Sequence, residues 1–317
     1  MKISRRKFLV SAIAAGTLGG LGALVANSDT KPAFVWRGSA LGGEARVSLY
    51  GASRDAADET LAAVAREIER LEEVFSLHRN QSELSRLNAN GHSVEPSRDL
   101  VEVLIDALNW RETTGGAFDP AIQPVWQALA KEATVPPEVL ATAGAPIEIN
   151  ERGITLATNS ALTLNGIAQG RIADRVTEIL TSRGFTDVVI DAGELRLPGK
   201  ERRAVGIPAA KAAVSVAEVA IATSEPGSLV FAPKTWRHHL IDPRTGTSPR
   251  HWESISVFAP TAQTADALST AFAVMHHEAV GDIASSIGDV AVIGCDSKGR
   301  IRRFGDPSMF GAQGKVS

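Results

Sequence analysis

An α+β fold is what this sequence predicts, and three observations predict it. Helix-period apolar patterns crowd the first half of the chain. β-rich segments dominate the second half, and the two types do not alternate as in a regular βαβ sheet. The chain has 317 residues, 44% hydrophobic and 22% charged, an ordinary globular composition with room for one large domain or two smaller ones. No internal repeat is evident.

The elements follow in order. Residues 45–50 alternate and read as a first strand. Residues 55–77 form an amphipathic helix, with Leu61, Val64, Ala65, Ile68, Leu71, Val74 and Phe75 at helical spacing. A polar turn then opens a short helix to Leu87. Residues 99–113 make another helix, with Val103, Leu104, Ala107, Leu108 and Trp110 inward, stopped by Gly115-Gly116. Asp119 is placed to cap a helix running to about Ala130. Residues 134–146, rich in Pro and Ala, read as a surface excursion. Residues 153–164 read as two short strands, 169–184 as a helix and 187–192 as β-rich. Strands are expected at 204–207, 214–222, 229–232, 236–241 and 254–259. Helices at 262–275 and 278–286 follow, then closing strands at 290–294 and 300–304.

The N-terminus carries its own signal. Ser4-Arg5-Arg6-Lys7-Phe8-Leu9 has the form of a twin-arginine export signature before an apolar, Gly- and Ala-rich run. Ala26-Asn27-Ser28 supplies small residues for cleavage. Residues 1–28 are therefore expected to be a signal peptide and 29–317 the functional domain. The expected location is the periplasm, reached through the twin-arginine translocase, or the membrane if the segment is retained as an anchor. Formal net charge is −3. Removing Lys2, Arg5, Arg6 and Lys7 makes the remainder more acidic, which argues against nucleic acid as a partner. The single cysteine, Cys295, excludes a disulfide scaffold or a cysteine-rich metal site. It follows a Val/Ile-rich run and reads as a core residue.

Five segments have the composition of a site. His239 to Gly246 packs a histidine, a carboxylate, a guanidinium and a hydroxyl around a Pro- and Gly-framed turn at the end of an apolar pair. Asn165 to Arg171 leaves a strand and opens a helix, where glycines let backbone approach an anion. Asp266, Ser269 and Thr270 share one helix face, and three oxygen donors suit Mg²⁺ better than Zn²⁺. Asp191-Ala192-Gly193-Glu194 and Thr223-Ser224-Glu225-Pro226-Gly227 read as polar turns. His78, His92, His251, His276 and His277 show no ligand spacing and read mostly as surface residues. No Gly-x-Ser-x-Gly elbow supports a serine hydrolase.

Taken together and in order, these pieces resemble the ApbE family of FAD:protein FMN transferases. The resemblance rests on Phe75-Ser76 through Leu84, Thr114 to Pro120, Asn165 to Asp174, Asp191 to Glu194, Thr223-Ser224, His239 to Gly246 and Ala265 to Thr270. It implies a fold related to the T-fold, with a β-rich core and packed helices. It also implies Mg²⁺-dependent cleavage of FAD, with Ca²⁺ as the alternative ion. FMN would pass to a Thr or Ser hydroxyl of a flavoprotein, and AMP would leave. The resemblance places Leu41, His78, Ala117, Phe118, Asp119, Thr163 and Gln169 at FAD-contacting positions. It places the Gly166 carbonyl, Asp266, Ser269 and Thr270 on the metal. His239 is expected to be the base, with Asp242 orienting its ring through the turn. The family usually has Asp at position 163, Lys at 169 and Gly at 225, where this chain has Thr, Gln and Glu. Those departures keep two other readings open, a non-catalytic flavin-donating accessory protein and an FAD pyrophosphatase. The export signal is similar to that of exported NosX-type members, whose acceptor would be a NosR-like or redox-pump subunit.

Overall fold

The computed structural model describes residues 25–26, 34–51, 53–131, 134–207, 212–232 and 236–310. The twin-arginine motif lies outside the described residues. Eight strands form one antiparallel sheet: β1 (Phe34–Ala40), β2 (Gly43–Leu49), β3 (Val188–Asp191), β4 (Leu195–Leu197), β5 (Val219–Ser224), β6 (Trp252–Ala259), β7 (Ala291–Asp296) and β8 (Ile301–Gly305). Their order across the sheet is their order in the chain. Each neighbouring pair is antiparallel, as in Arg46 opposite Asp191 and Ile221 opposite Phe258.

The helices are α1 (Arg54–Phe75), α2 (Glu83–Asn90), α3 (Arg98–Thr113), α4 (Gln123–Ala130), α5 (Pro137–Leu140), α6 (Ala168–Ser182), α7 (Ala262–Ala273) and α8 (His277–Ile287). Six of them lie between β2 and β3, and α7 and α8 connect β6 to β7. Side chains alternate across a strand, so the sheet feeds two cores. Val188, Ile190, Ala220, Ala222, Ile255, Val257 and Val292 face the helices. Val189, Val219, Ile221, Phe258 and Ile293 face the opposite side, against the hairpin Arg203–Ile207/Ala212–Val216. Val25–Ala26 pairs with the first strand of that hairpin. A third, small cluster of Val125, Leu129 and Ile241 joins α4 to the segment before the Asp242 turn.

The α+β reading and the long helices hold, and several boundaries move. Residues 214–222 are not one strand. Glu218, at φ 51°, breaks the run and sends its halves to different sheets. Only the first of the two strands expected in 153–164 forms, as Gly153–Leu156. Leu162 is buried all the same, because the Asn88 side chain takes a partner strand's place. Asn88 Nδ2 donates to Leu162 O at 2.8 Å and Asn88 Oδ1 accepts from Leu162 N at 2.7 Å. The run 236–241 is strand only at Arg237–His238. The sequence reading also missed β1, β4 and the strand Ile147–Asn150.

Candidate active site

Helices α6 and α7 set the floor of the site. They cross closely because position 170 is glycine: a Cβ there would lie 2.3 Å from Ala262 O. Asp174, on α6, accepts from the first backbone N–H groups of α7, Ala262 N and Gln263 N, both at 2.9 Å. A carboxylate there satisfies donors that the helix leaves unpaired. The crossing brings Gly170 N to Asp266 Oδ2 at 3.0 Å and fixes the orientation of that carboxylate.

Asp266, Ser269 and Thr270 do share a face. Ser269 Oγ lies 3.0 Å from Ser224 Oγ at the end of β5, and donates to Asp266 O at 3.1 Å. A Cβ on Gly166 would come within 2.8 Å of Thr270 Oγ1, so the Gly166 backbone lies beside that hydroxyl. One acidic residue was not legible as part of this group. Glu194, in the β3–β4 turn, is buried, and its Oε2 has no hydrogen-bond partner. Burial first, then the charges of Asp266 and Asp191, push its pKa well above the usual carboxylate range, against the Thr223 backbone N–H. Burial likewise raises Asp266 to about 8. Two desolvated carboxylates with an orphaned oxygen beside two hydroxyls are an all-oxygen donor set. It fits Mg²⁺ or Ca²⁺, which take oxygen ligands, and such an ion would relieve the cost of burying both charges.

A second group adjoins this one. Leu41 adopts φ 51° in the β1–β2 turn, and its N–H donates to Glu72 Oε1 at 2.8 Å. A Cβ on Gly42 would sit 3.5 Å from the ring of His78, so His78 lies against the turn that carries Leu41. Gln169 Nε2 is 3.4 Å from Ala40 O, and its amide covers Gly193 so closely that a Cβ there would lie 2.4 Å from Nε2. Gln169 thus joins the Leu41–His78 turn to the Glu194 turn.

A third group holds the remaining residues, and here the structure changes the expectations. Ala117, Phe118 and Asp119 are all buried. Asp119 caps a 3₁₀ turn, Pro120–Ile122, that leads into α4 rather than α4 itself: its Oδ1 accepts from Ala121 N at 2.9 Å, and Oδ2 accepts from Gly144 N. Burial raises its pKa. Both oxygens therefore brace the chain, and a ligand would meet this segment through its backbone. Thr163 lies alongside, its N–H donating to Pro120 O at 2.8 Å.

The expected contact between Asp242 and His239 is not made. Arg244 folds back over two residues and takes both Asp242 oxygens, with Nε to Oδ1 and Nη2 to Oδ2 at 2.8 Å each. A bidentate guanidinium pair outcompetes a single imidazole N–H. The Arg244 stem packs against Gly116, whose φ of 80° is the reason for glycine there. His239 is instead held by one carbonyl. Its backbone N–H and its Nδ1 both reach Leu229 O, at 3.1 and 3.2 Å. A carbonyl only accepts, so Nδ1 carries the proton and Nε2 carries the lone pair. Burial lowers the ring's pKa to about 4, which keeps it neutral near pH 7. Leu229, the histidine's anchor, follows Ser224 by five residues through the short turn Pro226–Ser228.

Known proteins resemble this chain over most of its length. The ApbE family model matches residues 41–293. A FAD:protein FMN transferase of Treponema pallidum is 31% identical over 285 residues, spanning 74% of this chain and 76% of its own. One of Haemophilus influenzae is 30% identical over 246 residues, spanning 66% and 70%. The fold is that of the apo flavinyl transferase ApbE of Pseudomonas stutzeri, with a TM-score of 0.74, 22% identity, and coverage of 87% of this chain and 97% of that one.

Proposed function

The chain belongs to the ApbE family, and on that premise we propose that it is an FAD:protein FMN transferase, moving FMN from FAD onto a flavoprotein acceptor. The observation that carries this reading is a neutral, Nε2-accepting His239 anchored on Leu229, five residues after the Ser224 that touches Ser269 in the oxygen-donor pocket of Asp266 and Glu194. Phosphoryl transfer from a pyrophosphate needs a base for the incoming hydroxyl and a cation-compatible cradle for the leaving phosphate.

In the finer form of the proposal, a Thr or Ser hydroxyl of the acceptor gives its proton to His239 Nε2. The new O–P bond joins the FMN phosphorus, the pyrophosphate P–O bond breaks, and AMP departs with that electron pair. Asp266, Ser269, Thr270, Glu194 and the Gly166 carbonyl would hold Mg²⁺, or Ca²⁺, which supplies charge neutralisation when bound. Leu41, His78, Gln169 and the backbone of residues 117–119 would flank the flavin nucleotide. Arg244, fixed by Asp242 and packed on Gly116, keeps the His239 turn rigid. The work would be done in the periplasm, after export by the twin-arginine translocase, on a NosR-like or redox-pump acceptor.

The test is intact-mass spectrometry of a co-expressed acceptor with quantified nucleotides. The proposal expects an acceptor heavier by FMN less water, with one AMP per adduct. Free FMN with AMP and an unmodified acceptor would make the protein a pyrophosphatase. Bound flavin with neither product would make it an accessory protein.

A further inference from the structure

A second cluster of ligating side chains lies outside this site, at the start of α8. His276, His277 and Glu278 each offer a ligand atom, and the three lie within 4.8 Å of one another. Glu278 gathers them: His276 Nδ1 is 3.0 Å from its Oε2 and His277 Nε2 is 3.1 Å from its Oε1. A fourth group comes from far along the chain, where sequence spacing gives no hint of it. The ring of His251 sits 4.4 Å, centroid to centroid, from that of His276.

The scaffold fixes this meeting. Trp252, next to His251, donates its buried indole N–H to Met275 O, next to His276, at 2.9 Å. The His251 carbonyl accepts from Ser297 N at 3.1 Å. His276 is the N-cap of α8, and its carbonyl accepts the first helical bond from Val280 N at 3.1 Å. Both histidines are therefore held at their backbones by the fold, and only their side chains need to turn.

We propose that His251, His276, His277 and Glu278 form a surface site for a borderline transition-metal dication of the Zn²⁺ class. Tetrahedral coordination at about 2.0–2.1 Å to nitrogen or carboxylate oxygen requires ligand atoms roughly 3.3 Å apart. Closing three groups from within 4.8 Å to that spacing takes side-chain rotation alone. Imidazole-rich donor sets select Zn²⁺, Cu²⁺ or Ni²⁺ over Mg²⁺, whereas the Asp266 pocket offers only oxygen. The two sites therefore take different ions. Neutral imidazole is the ligating form. His251 follows the Asp242 turn and its ring lies against that of His276, so an ion here would tie that segment to α8. This proposal does not rest on the transferase reading.

The test uses the full mature chain without a polyhistidine tag, titrated calorimetrically with ZnCl₂ in excess Mg²⁺. We expect one Zn²⁺ per chain at micromolar affinity, with a rise in melting temperature on binding. His276→Gln with His277→Gln should weaken binding by at least about tenfold, and His251→Gln should weaken it too. His276 is exposed and His251 and His277 are half-buried, and the unliganded melting temperatures of the variants show whether they fold. Asp266→Asn should leave Zn²⁺ binding intact. No saturable Zn²⁺ binding overturns the proposal. So does binding that survives the double histidine variant and disappears with Asp266→Asn, which would put the ion in the carboxylate pocket.

Discussion

Asp266→Asn should stabilise the metal-free protein at alkaline pH while abolishing its response to Mg²⁺. Asp266 is buried, and burial lifts its pKa from 3.8 to about 8. The folded chain therefore keeps a proton that the unfolded chain releases above about pH 4. A raised carboxylate pKa gives stability that is fully present below the unfolded value and lost as pH climbs towards the folded one. Asparagine imitates the protonated acid at every pH and can still accept from Gly170 N. At about 1.4 kcal/mol per tenfold change, the rise sets an upper bound on the order of 5 kcal/mol for the gap between variant and wild type. For a domain of this size that is on the order of 10 °C in Tm. Thermal melts in EDTA should coincide below about pH 4 and diverge steadily up to about pH 8, with the variant higher. Added Mg²⁺ should raise the wild type, whose two carboxylates can then ionise, and leave the variant unmoved. A variant that melts lower than wild type in EDTA at pH 8, or one that gains as much from Mg²⁺, would refute the reasoning.

His239→Asn should cut FMN transfer by roughly 10²–10⁴-fold, the usual worth of a general base, while equilibrium dialysis shows FAD still binding. Wild-type turnover in a well-folded variant would remove His239 from the chemistry. Replacing Arg5 and Arg6 together by Lys should leave the precursor in the cytoplasm on cell fractionation. Normal periplasmic accumulation of that variant would dispose of the export assignment.

Much of this molecule could be read from its sequence wherever one local pattern decided the outcome. The face of Asp266, Ser269 and Thr270 follows from helical spacing. The Asp119 cap follows from its place before Pro120. What could not be read depended on partners distant in the chain. Leu162 looks like part of a strand, yet the Asn88 side chain satisfies its backbone, and only the fold brings Asn88 there. Glu194 sits in a turn that any hairpin might contain. Its importance comes from the place of β3 and β4 in the sheet, which puts it under α7 beside Asp266. The Asp242–Arg244 pair was in plain view two residues apart. The expectation of a histidine partner overlooked that a guanidinium can fold back onto the same turn. His251 and His276 looked unrelated because no motif spans the Trp252–Met275 bond that brings them together.

The in-order sheet also settles where the chain enters relative to its chemistry. β1 is an edge strand, and Leu41, in the turn that ends it, already belongs to the candidate site. Roughly a dozen residues separate the end of the proposed export segment, residue 28, from that turn, and at about 3.4 Å each they span at most about 40 Å. Because Val25–Ala26 is already paired with the hairpin, a copy that kept the residues before Val25 in a bilayer would work on a short leash. It could serve acceptor hydroxyls held close to the membrane surface, and a target carried farther out would be left to copies that had been released.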